Sequence, residues 1–220
     1  EADLRAAGVP AEDAAHAWIA LERGLVLKEY GRIDPSMAAL DAGIALATRI
    51  TPGMLHVRLH SARAFQLAAK GRIDEAKADL AEGRRIGEGF NVRDTTWHLA
   101  MARLEDAEGL VHVHAGDLEA AARSYRTALE HREQAGDAQG VQDAYVNLGG
   151  VAFSRGDFAA AIGSYEKALA SAKKMRWPSR EALGYGNLGQ ARLAAGDATA
   201  AVADLDKACR MAEDGGYLDV

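Results

Sequence analysis

Two asparagines, Asn147 and Asn187, stand forty residues apart in this 220-residue chain, each directly before a Leu-Gly pair. An asparagine side chain carries a donor and an acceptor together, so it can grip a peptide backbone in both directions. The residues alone leave two roles open: holding a bound peptide, or bonding the neighbouring helix. Arg58 and Arg103 form a second pair, at corresponding positions of adjacent units. Guanidinium groups hold carboxylates through paired hydrogen bonds. The two arginines therefore point either to an acidic peptide or to pairing with nearby acids such as Asp106. Other chemically capable residues assemble nothing. His56 and His60 have a metal-ligand spacing but no third ligand. His112 and His114, two apart, point to different helix faces. Cys209 aligns with Leu129 and Leu169 on an apolar stripe and reads as a packed small hydrophobe. The glycines of RRIGEG (84–89) follow a helix rather than a strand and make no phosphate loop. No motif joins a nucleophile, a base and an orienting group. The chain reads as non-catalytic, with no metal or cofactor.

The elements that must position these residues repeat. Anchor glycines fall at Gly31, Gly71, Gly116, Gly156 and Gly196, with spacings of 40, 45, 40 and 40. Each closes one helix and opens a tight turn, where a left-handed conformation favours glycine. Asp117, Asp157 and Asp197 then cap the next helix. In the first two units Asp34 and Asp74 are the expected caps, with Pro35 at the first helical position. Seven residues before each anchor sits a small residue: Gly24, Ala64, Gly109, Gly149 or Gly189. The following helix carries small-large-small triplets such as Ala121-Tyr125-Ala128 and Ala161-Tyr165-Ala168. Small residues let two helices approach and the large one fills the gap. Each unit is therefore a pair of antiparallel helices, over about 13–50, 51–88, 95–136, 138–176 and 179–214. Thr51-Pro52 is expected to cap and start the second unit. Lys77 and Arg84 break the apolar stripe there, and five extra residues fall within RRIGEGFNVRDTT. They predict an irregular junction between units two and three, with a longer loop and a changed packing angle.

Composition narrows the function classes. Hydrophobic residues make up 49% but aromatics only 6%, which fits small-residue helix packing. The net charge of −6 speaks against non-specific nucleic-acid binding, which needs a basic face. One cysteine makes no internal disulfide or thiolate zinc cluster. No apolar run is long enough to span a membrane. Residues 1–10 read as the tail of an earlier helix, and YLDV stops where a further unit would begin. A domain excised from a longer protein is the expectation, with uncapped ends open to self-association. The abundance of alanine and arginine suits a high-GC bacterium, and a cytoplasmic location is expected.

The repeated small, aromatic and alanine positions resemble the tetratricopeptide repeat. The resemblance covers almost the whole chain, strongly in the last three units and weakly in the first two. The period of about 40, longer than the family's usual 34, is similar to the long-helix variant of kinesin light chains, cell-polarity adaptors and bacterial regulators. The resemblance implies an all-α fold: a single right-handed superhelical α-solenoid of five antiparallel helix pairs, with first helices lining a concave groove. Carried over, the groove presents Trp18, Leu21 and Glu22; Arg58, Ser61 and Phe65; Arg103, Asp106 and Leu110; Asp143, Val146 and Asn147; Gly186, Asn187 and Gln190. Related long-repeat proteins hold extended peptides on an asparagine ladder, of which Asn147 and Asn187 form two rungs. Trp18 would stand exposed unless a ligand or a preceding unit covers it. The lysines and asparagines of the chaperone-type carboxylate clamp are missing. The implied function is a scaffold module that binds a protein or peptide, and the alternative is a sensor domain of a larger bacterial transcription regulator or kinase.

Overall fold

The computed structural model describes residues 11–215. The expected helical tail at 1–10 and the YLDV terminus lie outside them. Ten helices make up the described chain, and no strand occurs among its residues. In order they are α1 (Ala11–Glu29), α2 (Ile33–Ala47), α3 (Met54–Ala69), α4 (Ile73–Glu88), α5 (Thr95–His114), α6 (Leu118–Ala135), α7 (Ala138–Ser154), α8 (Phe158–Lys174), α9 (Pro178–Ala194) and α10 (Ala198–Gly215). They form the five antiparallel hairpins of an α-solenoid. The hairpins fall into two compact units, Glu1–Ala135 holding α1 to α6 and Gly136–Val220 holding α7 to α10.

The hairpin turns follow the chemistry of their glycines. Gly31, Gly71, Gly116, Gly156 and Gly196 all take positive φ, from 67° to 89°. After them Asp117, Asp157 and Asp197 accept the backbone N–H of Ala120, Ala160 and Ala200 at 2.9–3.0 Å. The first two hairpins differ from expectation. There Arg32 and Arg72 hold the N-cap positions without a side-chain bond, Asp34 and Asp74 already lie within the first turn, and Pro35 is the third helical residue rather than the first. Nor does Thr51-Pro52 start the second unit. Gly53 caps α3, and His56 closes the cap by accepting the Gly53 N–H at 3.1 Å.

Within each hairpin the two helices meet at the small residues. A Cβ on Gly149 would stand 2.5 Å from the Tyr165 ring, and one on Gly109 would stand 2.6 Å from Tyr125. Gly24 receives Leu40 and Gly189 receives Leu205 in the same way. The fully buried Ala64 and Leu80 take these places in the second hairpin. In the second unit Tyr165, Leu169, Tyr185 and Leu188 share one apolar cluster. Cys209, expected on the buried stripe, is instead exposed. Among the described residues no helix follows α10 to cover that face, whereas α9 covers the corresponding Leu169 of α8.

The junction of the second and third hairpins is irregular, but not through a longer loop. Residues 89–94 connect α4 to α5, the same six-residue length as 48–53 between α2 and α3. The extra residues extend α5 to 20 residues, against 16 in α3. RRIGE is helical, the end of α4. The contact with the preceding hairpin changes as well: there α5 meets chiefly α3, whereas α3 meets chiefly α2 and α9 meets α8. Arg84 is polar where the stripe should be apolar because it crosses to α5, pairing with Glu105 at 2.8 Å and Glu108 at 2.6 Å.

One turn carries a strained residue. Arg176, forty residues after Gly136, has φ 53°, where Gly136 has φ 69°. A left-handed L-residue costs roughly 1–2 kcal/mol. Arg176→Gly is expected to raise stability by about 1 kcal/mol in urea unfolding, since the relief of strain is partly offset by a more flexible unfolded chain. Gly149→Ala, which drives a methyl into the Tyr165 ring, is expected to cost about 1–3 kcal/mol in the same measurement.

Candidate functional site

In the first unit α1, α3 and α5 bring three of the expected residues together. The Arg58 guanidinium lies 4.4 Å from the centre of the Trp18 ring. Its Nη2 donates to Glu22 Oε1 at 3.1 Å. Trp18 is 41% exposed, so the stack sits at the surface. Burial pulls the Arg58 pKa down, the neighbouring charge of Arg103 adds to the effect, and Glu22 opposes it. That like-charge influence places Arg103 close enough to act on Arg58. Arg103 is exposed and has no ion-pair partner among the described residues. Asp106, offered by the sequence as its partner, pairs with Arg132 of α6 instead. The cluster is therefore an exposed aromatic ring and two guanidinium groups with one local carboxylate, Glu22. A shallow open pocket of about 500 Å³ along α1 adjoins it, lined by Trp18, Ile19, Glu22, Arg23, Val26 and Leu27.

Phe65 stands one helical stretch farther along α3. It is 37% exposed, and Lys28 of α1 lies over its ring at 5.0 Å. Two other residues expected on this face turn away from solvent. Leu21 is buried in the core of the first two hairpins. Ser61 is buried with its hydroxyl donating to Arg58 O. Helix α3 lies against its neighbours, so only part of the face read from sequence is free.

The opposite side of α3 is fixed by a buried carboxylate. Asp79 of α4 receives Arg63 Nε at 2.7 Å, Arg63 Nη2 at 2.6 Å and His60 Nδ1 at 2.8 Å. Arg63 also reaches Asp41 of α2 at 2.8 Å. Gln66 of α3 donates to Ser36 Oγ of α2, which donates to Gly24 O of α1. His56 donates from Nε2 to Ala47 O at 2.8 Å. Both histidines with metal-ligand spacing are thus held in packing bonds. Among the described residues no group of three His, Cys, Asp or Glu is arranged to hold a metal ion. These bonds fix the rotation of α3 about its axis, and that rotation aims Arg58 at Trp18.

In the second unit Asn147 of α7 and Asn187 of α9 are half-buried, and Gln190 is exposed. Neither asparagine makes a side-chain hydrogen bond among the described residues, which leaves both amides with their donors and acceptor available. Helix α9 rests on α8 far more than on α7. Asp143 is taken by Arg180 at 2.5 Å, which also donates to Gln142 Oε1 at 3.2 Å. Arg180 has no counterpart forty residues earlier, where Gly140 stands. Tyr185 is buried between Lys173 and Lys207. Burial acts to raise its pKa, but the two lysines outweigh it and bring it below the ordinary phenol value.

The tetratricopeptide repeat models match residues 99–174 and 182–214. None of the curated proteins matches the chain in sequence. Among solved structures the chain is similar to BtubC from P. vanneervenii, at 20% identity and TM-score 0.70, covering 93% of this chain and 91% of that one. A Rap protein complexed with Competence and Sporulation Factor superimposes at TM-score 0.77 and 16% identity, over 92% of this chain and 56% of its own. A signal transduction ATPase with a tetratricopeptide repeat sensor, from Pyrococcus horikoshii, gives TM-score 0.77 and 16% identity, over 89% of this chain and 29% of its own. The chain thus spans about half of the Rap protein and less than a third of the ATPase. At these identities the likeness is one of fold.

Asp79 carries the next expectation. Burial acts to raise its pKa, but Arg63 and His60 outweigh it and leave the carboxyl below the usual range. Its stabilising contribution is therefore present above pH about 4 and is lost as the pH falls through the lowered value. Asp79→Ala leaves Arg63 and His60 without their shared acceptor and is expected to cost about 2–3 kcal/mol at pH 7. The difference between variant and native chain should narrow as acid protonates Asp79, which urea unfolding at pH 7 and pH 3 would measure.

Proposed function

Because the chain belongs to the tetratricopeptide repeat family, we propose that it is a protein- or peptide-binding scaffold that uses the solvent-facing sides of its first helices. The observation that carries this reading is the Trp18–Arg58–Arg103 cluster, in which an exposed aromatic ring lies against Arg58, Glu22 pairs with that cation, and the charge of Arg103 acts on it. Such a surface suits a segment bearing carboxylates next to an apolar side chain. A ligand carboxylate competes with Glu22 for Arg58 or takes Arg103 directly, and the ring offers apolar area and cation-π reinforcement. Phe65 extends this surface along α3. In the second unit Asn147, Asn187 and Gln190 supply amides without internal partners, suited to a peptide backbone. The role is non-catalytic, in the cytoplasm of a bacterium, where a single unpaired cysteine is at ease. A second copy of the chain belongs among the partners, because Ile19 and Val26 of α1 and Val202 of α10 are exposed apolar side chains.

A second reading is a sensor domain of a longer regulator. It is favoured by the likeness to the ATPase whose tetratricopeptide repeats are described as a sensor, of which this chain spans only 29%.

The test begins with a partner recovered by pull-down and reduced to its binding segment by peptide mapping. Asn147→Ala with Asn187→Ala is expected to weaken that segment about tenfold, from two backbone hydrogen bonds of about 0.7 kcal/mol each. Arg58→Ala with Arg103→Ala should weaken it more and flatten the dependence of affinity on salt. Helicity by circular dichroism should stay unchanged throughout. Unaltered affinity in a folded asparagine double variant removes the ladder, and unaltered affinity in the arginine double variant removes the acidic-segment reading.

A further inference from the structure

His98 lies in the first turn of α5 and His131 near the end of α6. Their Nδ1 atoms are 3.0 Å apart. Both rings stand edge-on to Trp97, with centroids 5.0 and 5.1 Å from it. Trp97 is buried, and its Nε1–H donates to Gly87 O at the end of α4 at 2.8 Å. Three helices therefore meet at one indole, and the histidine pair ties two of them.

The contact holds only for certain proton counts. With both rings neutral, one Nδ1–H donates into the lone pair of the other Nδ1. One added proton preserves the arrangement, as imidazolium to imidazole. A second added proton sets N–H against N–H and puts two positive charges at hydrogen-bond distance. The surroundings do not relieve this. From α4 comes Arg84, from the connection Arg93, whose guanidinium lies 4.9 Å from the Trp97 ring. The nearby acids are engaged elsewhere: Asp94 accepts the Trp97 N–H, while Glu105 and Glu108 of α5 hold Arg84. Burial, then His98, Arg84 and Arg93, keep the His131 ring below the ordinary imidazole range. The unfolded chain thus takes up this proton first, so the stability it carries is full above pH about 6.5 and is lost as the pH falls below that. Glu105 works in the other sense, since burial raises its pKa and acidification relieves its charge. A local readout is therefore needed.

We propose that the His98–His131 contact is a proton-operated latch, closed while the pair carries at most one extra proton and open when both rings are charged, freeing the end of α6 from the start of α5. The neighbouring Arg132 pairs with Asp106 on α5, one turn from Arg103, so opening also loosens the face that bears the proposed binding cluster. That last link rests on the proposed function, while the latch does not.

The test is a nuclear magnetic resonance titration of the histidine rings in the full chain from pH 8 to 4.5, with amide exchange protection measured at pH 7 and pH 5. The His131 ring is expected to take its proton at least threefold less readily than a free imidazole, and more readily in His98→Phe, which keeps an aromatic edge against Trp97. Protection at residues 97–101 and 129–134 should fall at least fivefold between pH 7 and pH 5, and much less in the variant. If His131 titrates as a free imidazole in the native chain, or if protection there does not change with pH, the latch is overturned. The native titration decides even if the variant does not fold.

Discussion

Close approach between helix backbones at a glycine facing a large side chain is the constraint on which the rest of this molecule depends. Gly149 and Tyr165 meet so closely that a Cβ on the glycine would lie 2.5 Å from the ring. The same contact recurs with tyrosine at Gly109 and with leucine at Gly24 and Gly189. It sets the separation of each hairpin, and the left-handed glycine at the turn sets its direction. Once the two helices are that close, few residues per helix remain free for solvent. Binding side chains are confined to the strip that neither the hairpin partner nor the next hairpin covers.

That strip explains why the two compact units differ. In the first, polar bonds lock α3 against α2 and α4 through Asp79, Arg63, His60, Gln66 and Ser36. The exposed remainder gathers charge around Trp18 and Arg58. In the second, the buried partners are mainly aromatic and aliphatic, and the exposed remainder holds uncommitted amides. On the proposed function, charged recognition and backbone recognition fall to different hairpins.

Much of this was legible in the sequence because the repeat imposes it. The five glycines, the caps at Asp117, Asp157 and Asp197 and the small-large pairs follow from a period of about 40 residues and from simple sterics. What escaped was set by contacts at long sequence separation. The first two hairpins begin their second helices at Ile33 and Ile73, one residue before the aspartates read as caps. The insertion after Arg84 looks like loop because of its glycines, yet it became helix. Gly87 lies beside Met101, where a side chain would not fit. Cys209 copies the register of Leu169, with no covering helix among the described residues. The His98–His131 pair had no signal at all, since its members are 33 residues apart and belong to no motif.

The proposed function depends on which strip of the helices meets a partner. Backbone amide chemical-shift mapping of the full chain, titrated with the binding segment of its recovered partner, measures this directly. The predicted shifts cluster at residues 18–22, 58–65 and 103–110, with 147, 187 and 190 moving if the segment also reaches the second unit. Shifts confined to α2, α4 and α6, with the Trp18 and Arg58 amides unmoved, would contradict it.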